Sequence, residues 1–310
     1  MDQVRVFAPA SVANLAVGYD ILGLAIESPG DEVVVKTGTT PGLKITSITG
    51  DGGKLPYDVE KNTAGFAALQ FLRSIGKEQL PIEMEIHKKM AMGTGLGSSA
   101  ASAVAGVYGV SAYLGHPVEK IDLLKFCVEG EQKADGAYHA DNVGPSLLGG
   151  IILIRSNESL EITQVPVPDD LHLAMIYPHI EVLTSESRAI LSDTVSLDDM
   201  IAQTGNIATF IAGCYESDYD KISQSLTDVI IEPQRAHLIS GFYDYKEIAM
   251  KNGALGFSIS GAGPSMFALC RGQDTAEKIL SQFDKYSQDN NIKSDIFTSK
   301  INTEGARVID

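Results

Sequence analysis

Residues 92–105 read MGTGLGSSAASAVA, and the rest of the chain is best read outward from them. Gly93, Gly95 and Gly97 alternate, so the backbone is free to take positive φ and to come close to a ligand. Ser98 and Ser99 add two hydroxyls. A run of small residues follows at once and predicts a helix over 99–114, whose unpaired N–H groups and positive dipole end face the glycines. Upstream, Ile82, Met84 and Ile86 alternate with Glu83, Glu85 and His87, the period of a half-buried strand. Strand, glycine loop and helix start together make a cradle for phosphate oxygens that needs no basic surface. The loop is not GxxxxGK[ST], and it is not GxGxxG, because Ser98 stands where the third glycine would be. The plainer reading is a glycine turn that packs two elements closely.

The 310 residues are 44% hydrophobic and 21% charged, with 40 acidic against 24 basic side chains and a net charge of −16. Such a surface repels nucleic-acid backbones and anionic membranes, so an anionic ligand needs local help from N–H groups and a metal ion. Cys127, Cys214 and Cys270 form no CxxC pair, and their odd number argues against a disulfide framework and for a reducing compartment. The start, MDQVRVFAPAS, has no basic segment followed by an apolar run, and no stretch of about 18 apolar residues occurs. A cytoplasmic protein is expected.

Short β-branched runs predict strands over 4–8, 32–36 and 43–49. Asn62 reads as the N-cap of a helix ended by Gly76. Pro117 suits the first position of a helix reaching Lys133, and 149–154 reads as a buried strand. In the second half, strands are predicted at 171–177, 255–260, 266–270 and 295–301. Helices are predicted at 185–192, 198–215, 220–226, 234–251 and 275–286, with Gly253 just past the fourth. Reduced to its skeleton this half is β-α-β-β-α-β, the split βαβ order of ferredoxin-like domains, with extra helices in the first crossover. The Pro-containing stretch 164–170 separates the halves, so an α+β chain is expected with domains over 1–166 and 167–310.

Two further segments stand out. PASVANLAVGYDILGLAIE at 9–27 carries Asn14 and Asp20 in an apolar, glycine-punctuated frame. GFSISGAGPSMF at 256–267 runs a strand into a tight turn. Alone, the first is a strand–turn–strand with Asp20 capping the turn, and the second an ordinary hairpin. In this order around the glycine loop, the three resemble the motifs of the GHMP kinases, the group of galactokinase, homoserine kinase, mevalonate kinase and phosphomevalonate kinase. With HADNVGPSLLGG at 139–150, the likeness is greatest to the homoserine kinase branch. One departure is Ala91, where the family often has proline.

The resemblance implies a GHMP kinase fold, with an N-terminal α/β domain of the ribosomal-protein-S5-domain-2 type that binds ATP and a C-terminal ferredoxin-like domain. It implies transfer of phosphate from ATP, with Mg²⁺, to the hydroxyl of L-homoserine, and a homodimer. Main-chain donors of Gly93, Thr94, Gly95, Leu96, Gly97, Ser98, Ser99, Ala100 and Ala101 would hold the phosphates, and Asn62 would lie near the adenine. Ser98 or Ser99 and Glu131 would supply hard oxygens to the metal. Arg188 and Arg235 would take the substrate carboxylate and Asp20 its ammonium, with Asn14, His139 and Gly261 completing the substrate site. Asn142 would orient the hydroxyl while the γ-phosphate takes the proton. Asp141 is placed second as a base, because neighbours in an extended segment point to opposite faces. Thr184 would touch the γ-phosphate or cap its helix. Two other readings stay open: a relative acting on a different hydroxy acid, and a ligand sensor on the same fold that has lost catalysis.

Overall fold

Alternating burial from Val4 onward draws the start of the chain into β1 (Gln3–Ala13), which pairs antiparallel with the 16-residue β2 (Leu22–Thr37) in the computed structural model. The structure describes residues 2–136 and 138–310. Next come β3 (Leu43–Thr49), α1 (Thr63–Ser74) and β4 (Ile82–His87), and β4 lies parallel to β3 and antiparallel to β2. The Asn62 Oδ1 accepts from the N–H groups of Ala64 and Gly65 at 3.1 and 3.2 Å, which fixes where α1 starts. Phe71 and Leu72 on α1 are fully buried, and a side chain of that kind contributes about 1.5–3 kcal/mol on leaving water.

The central helix α2 (Ser98–Tyr113) is buried on nearly every side, which its alanines, glycines and serines permit. A Cβ at Gly106 would stand 2.6 Å from the Ala64 carbonyl oxygen, so α1 and α2 approach as closely as they do only because position 106 is glycine. A 3₁₀ turn at Lys120–Leu123 leads into α3 (Leu124–Asp135), then α4 (Val143–Leu148), β5 (Ile151–Ser156) and β6 (Glu161–Val165), where β5 joins β2 and β6 extends the sheet.

The chain changes sheet between Val165 and Leu171. β7 (Leu171–Pro178) is followed by α5 (Thr184–Ala189), α6 (Leu197–Glu216), α7 (Tyr219–Ser225), α8 (Glu232–Arg235) and α9 (Phe242–Lys251). Then come β8 (Ala254–Ile259), β9 (Met266–Arg271), α10 (Gln273–Asp289) and β10 (Ser294–Lys300). The second sheet runs β10-β7-β9-β8 with every pair antiparallel, the split βαβ arrangement expected from the sequence. A last strand, β11 (Arg307–Val308), returns to pair with β1. Among the described residues no helix is long and apolar enough to cross a membrane.

Several expectations need correction. Pro117 lies in a bend and does not open a helix; α3 starts at Leu124 after the 3₁₀ turn. The helix expected over 234–251 is two, because Gly241 at φ 79° resets the direction before α9. Gly149 and Gly150 take positive φ ahead of β5 instead of joining it. The segment around Asn142 is helical rather than extended: Asn142 has φ −98° and ψ −50° and precedes α4.

Candidate active site

The glycine loop between β4 and α2 takes positive φ at all three glycines: 72° at Gly93, 82° at Gly95 and 64° at Gly97. Its carbonyls are spent on the other two motifs. Thr94 O accepts from Ser265 N (3.1 Å), Gly95 O from the Ser260 hydroxyl (2.7 Å) and Leu96 O from Ser11 N (3.1 Å). In a trans peptide the N–H points opposite the preceding carbonyl. Engaging three carbonyls therefore turns the N–H groups of Gly95, Leu96 and Gly97 the other way. Gly97 is the N-cap of α2 and offers no side chain, so the helix's first N–H groups are left for a ligand.

This loop forms one wall of a cavity of about 380 Å³. The first motif contributes Asn14 and Asp20, α3 contributes Glu131, and the segment before α4 contributes His139 and Asn142. Thr184 and Arg188 come from α5, Arg235 from α8 and Gly261 from the β8–β9 turn; Gly93, Thr94, Gly95, Gly97, Ser98, Ser99 and Asn62 complete the set. Leu96, Ala100 and Ala101 bury their side chains in the core, so only their main chains can serve a ligand. Asn62 also donates from Nδ2 to Pro56 O at 3.0 Å, which with its two capping bonds leaves one side-chain N–H. Thr184 is the first residue of α5 and Leu183 holds the cap position, so Thr184 is not the cap.

Asn14 is largely spent as a strut. Its Nδ2 donates to Gly261 O at 3.0 Å and its Oδ1 accepts from Asp20 N at 3.1 Å, tying the first motif to the third. Asp20, held at φ 60° by that turn, faces Arg188 across a two-point fork with contacts of 3.0 and 3.2 Å. His139 Nε2 lies 3.4 Å from the same carboxylate. Burial works against the Arg188 charge, but the hydrogen bonds and charge of Asp20 outweigh it and raise its pKa. Arg235 is 3% exposed. It donates from Nε to Ser187 O at 2.8 Å, from Nη1 to Gly261 O at 3.4 Å and from Nη2 to the Tyr19 hydroxyl at 3.2 Å. No carboxylate bonds it among the described residues, and burial lowers its pKa. A guanidinium has five N–H groups; the two left over sit one on each terminal nitrogen.

Just before α4, the Ser11 hydroxyl donates to Asn142 Oδ1 at 2.8 Å. The amide NH₂ of Asn142 is thereby left as the group that can meet a ligand. Asp141 lines the cavity as well. The reason for placing it second, opposite-facing neighbours, fails with the extended backbone it assumed.

Sequence reasoning passed over Lys88, Asp31 and Ser102. Lys88 Nζ pairs with the Asp31 carboxylate and donates to Ser98 O at 2.7 Å and Ser102 Oγ at 2.8 Å, and its side chain and that of Asp31 are 2% and 0% exposed. The only signal in the sequence was a lysine directly after a half-buried strand and just before the loop. Ser11 and Tyr19 were quoted inside the first motif without being given a role.

A divalent cation fits the donor set. The Ser98 hydroxyl is buried with no hydrogen-bond partner among the described residues, and Glu131 lines the same cavity. No group of three or more His, Cys, Asp or Glu there could hold a metal unaided. That is the condition of a magnesium ion that takes one or two protein oxygens and completes its shell with phosphate and water.

Residues 62–150 match the GHMP kinases N terminal domain and residues 210–288 the GHMP kinases C terminal domain. A homoserine kinase of Chlorobium phaeobacteroides (strain BS1) is 42% identical over 321 residues, covering 100% of both chains. The crystal structure of homoserine kinase from Cytophaga hutchinsonii superposes with a TM-score of 0.96 at 48% identity, covering 100% of this chain and 98% of that one. The L. major mevalonate kinase structure, at 14% identity and a TM-score of 0.72 over 95% of each chain, shares the fold.

Proposed function

Because this chain belongs to the GHMP kinase family, we propose that its cavity is a kinase active site in which ATP phosphorylates the hydroxyl of L-homoserine to give O-phospho-L-homoserine. The observation that carries this reading is Arg235, a buried guanidinium in the cavity lining with two unengaged N–H groups and no bonded carboxylate among the described residues, beside the Arg188–Asp20 fork. An amino acid carries both charges that such a site lacks. Its carboxylate suits Arg235 and Arg188, and its ammonium suits Asp20. Sugars and neutral alcohols would leave Arg235 unanswered.

Phosphoryl transfer is mainly positioning and charge neutralisation. The N–H groups of the loop and of the α2 N-terminus hold the phosphates and face the charge that develops on them. Ser98 and Glu131, with Ser99 beside them, would hold Mg²⁺, which when bound neutralises phosphate charge. Thr184, which begins α5 and lines the cavity, would touch the γ-phosphate. Asn142, its carbonyl fixed by Ser11, offers its NH₂ to orient the acceptor hydroxyl, and the phosphate takes the proton. Asn142→Ala should lower kcat about 100-fold, the usual cost of losing alignment at a reacting atom, with the KM for ATP changed less than threefold. Steady-state kinetics checks this.

The same proposal divides the chain at 166/167 into a nucleotide-binding and a ferredoxin-like domain, except that β11 at the end of the chain returns to the first sheet. It includes a homodimer, from the family resemblance, and a cytoplasmic location, which the acidic surface and the three unbridged, buried cysteines suit. The deciding assay is ADP release over a panel of hydroxy acids, amino alcohols and sugars, with Mg²⁺ and with EDTA. Homoserine should give the highest kcat/KM, and EDTA should abolish turnover. Background turnover with homoserine alongside clear turnover with another acceptor would overturn the assignment.

A further inference from the structure

Tyr19 lies beside both of the guanidinium groups that the proposed function gives to the substrate carboxylate. Its ring centroid is 4.9 Å from Arg235 Cζ and 5.6 Å from Arg188 Cζ, close enough for a π face to attract both cations and soften their mutual repulsion. Its hydroxyl accepts from Arg235 Nη2 at 3.2 Å, and among the described residues nothing accepts its own proton. It is half-buried and lines the cavity between Gly18 and Asp20. The turn that aims Asp20 at an ammonium therefore also places a phenol beside Arg235.

We propose that Tyr19 is a specificity-determining residue that sets the fork of Arg235 and donates its own O–H to the substrate carboxylate that Arg235 binds. This rests on the reading that the acceptor is a carboxylic acid. The Arg235 guanidinium has already given Nε, one Nη1 hydrogen and one Nη2 hydrogen to Ser187, Gly261 and Tyr19. What remains is one N–H on each terminal nitrogen, and the Tyr19 hydroxyl lies beside Nη2. A carboxylate has about four lone-pair sites, so it can accept from both guanidiniums and the phenol together. Asp20 and Asp141 both act electrostatically on Arg188, so an incoming carboxylate meets negative charge, and a third donor offsets it. An acceptor without a carboxylate would leave the phenol and the fork unpaired, which is how a polar pocket rejects an analogue.

The test compares wild type with Tyr19→Phe, which keeps the ring beside the two arginines and removes only the hydroxyl. The KM for L-homoserine should rise about tenfold, while kcat and the KM for ATP stay within twofold. 3-Amino-1-propanol, which has no carboxylate or other acceptor at that position, should inhibit both proteins with the same constant as a competitor. An unchanged homoserine KM overturns the proposal. So does a rise matched by an equal loss of affinity for the amino alcohol, which would mean a general disturbance of the pocket. The thermal midpoint should stay within about 2 °C, and a larger fall would assign Tyr19 to the fold instead. If wild type uses another carboxylic acid and not homoserine, the functional reading fails, yet the same comparison with that acid and its analogue without the carboxylate still decides Tyr19. A wild-type protein that uses no carboxylate acceptor overturns both.

Discussion

Gly97→Ala should lower kcat/KM at least 1000-fold, whereas Gly93→Ala, four residues earlier in the same loop, should lose less than about tenfold. Both glycines have positive φ, 64° and 72°, so both alanines carry a left-handed strain of about 1–2 kcal/mol. The difference lies in what the added methyl meets. At Gly93 nothing stands within 4 Å. At Gly97 the methyl would sit 2.2 Å from the Ser11 hydroxyl and 2.8 Å from Asn142 Oδ1. Those two atoms are the ends of the bond that aims Asn142, and neither can stay where it is.

Relief can come only by moving the loop off the α2 N-terminus or by driving Asn142 out of line. A misplacement of about 1 Å at a reacting group costs about 100-fold, and overpacking adds about 1–3 kcal/mol to a closely packed site. Steady-state kinetics on the two variants, with thermal melts as a control for folding, checks the contrast. Retention of more than a tenth of wild-type kcat/KM by a folded Gly97→Ala protein would mean that the loop and Asn142 are not in register as the structure has them.

The features legible in the sequence are those written locally. The glycine loop, the Asn62 cap and the β-α-β-β-α-β order of the second half each depend on neighbours within a few residues or on a steady period, and each is where it was expected. Arg188 and Arg235 are picked out through the family resemblance, and the structure brings both to the cavity. What escaped was set at long range. Ser11 and Asn142 are 131 residues apart, and nothing in either segment names the other. The helical backbone at Asn142 follows from the packing of α4 under β1 and β2, which Val143, Pro145 and Leu147 bury, and HADNVG has no local signal for it. Pro117 carried a true preference for a helix start that the positive φ of Gly115 and His116 overrode just before it. In the same way, Gly241 broke a helix that the periodicity of 234–251 continued through.

Lys88→Met should destabilise the protein by about 3–5 kcal/mol, the usual cost of removing one member of a buried ion pair. That is a large share of the 5–15 kcal/mol that holds a typical domain folded. The lysine makes three bonds with its three N–H groups: to the Asp31 carboxylate, the Ser98 carbonyl and the Ser102 hydroxyl. Asp31 in turn accepts from Lys89 N and Ser102 Oγ, both at 3.0 Å. With methionine at 88 the carboxylate stays buried on β2 with those two donors and no countercharge. At about 2–4 °C per kcal/mol for a chain of this size class, the thermal midpoint should fall by roughly 10 °C.

Adding Asp31→Asn to Lys88→Met should restore at least half of that loss, because the stranded charge is then gone, the amide oxygen still accepts from Lys89 N, and the amide NH₂ can donate to the Ser102 hydroxyl instead of accepting from it. Activity should not return in step. The Ser98 carbonyl belongs to the first turn of α2, and Lys88 is the side chain that holds it down from the strand side. The double variant should therefore regain at least half of the lost midpoint yet keep a kcat lowered about tenfold, because the N–H groups that meet the phosphates lose their fixed direction. Calorimetric melts and kinetics on the two single variants and the double form a cycle that separates the contributions. Full recovery of kcat along with the midpoint would show the Lys88 network to be a support for the fold with no part in aiming the phosphate loop.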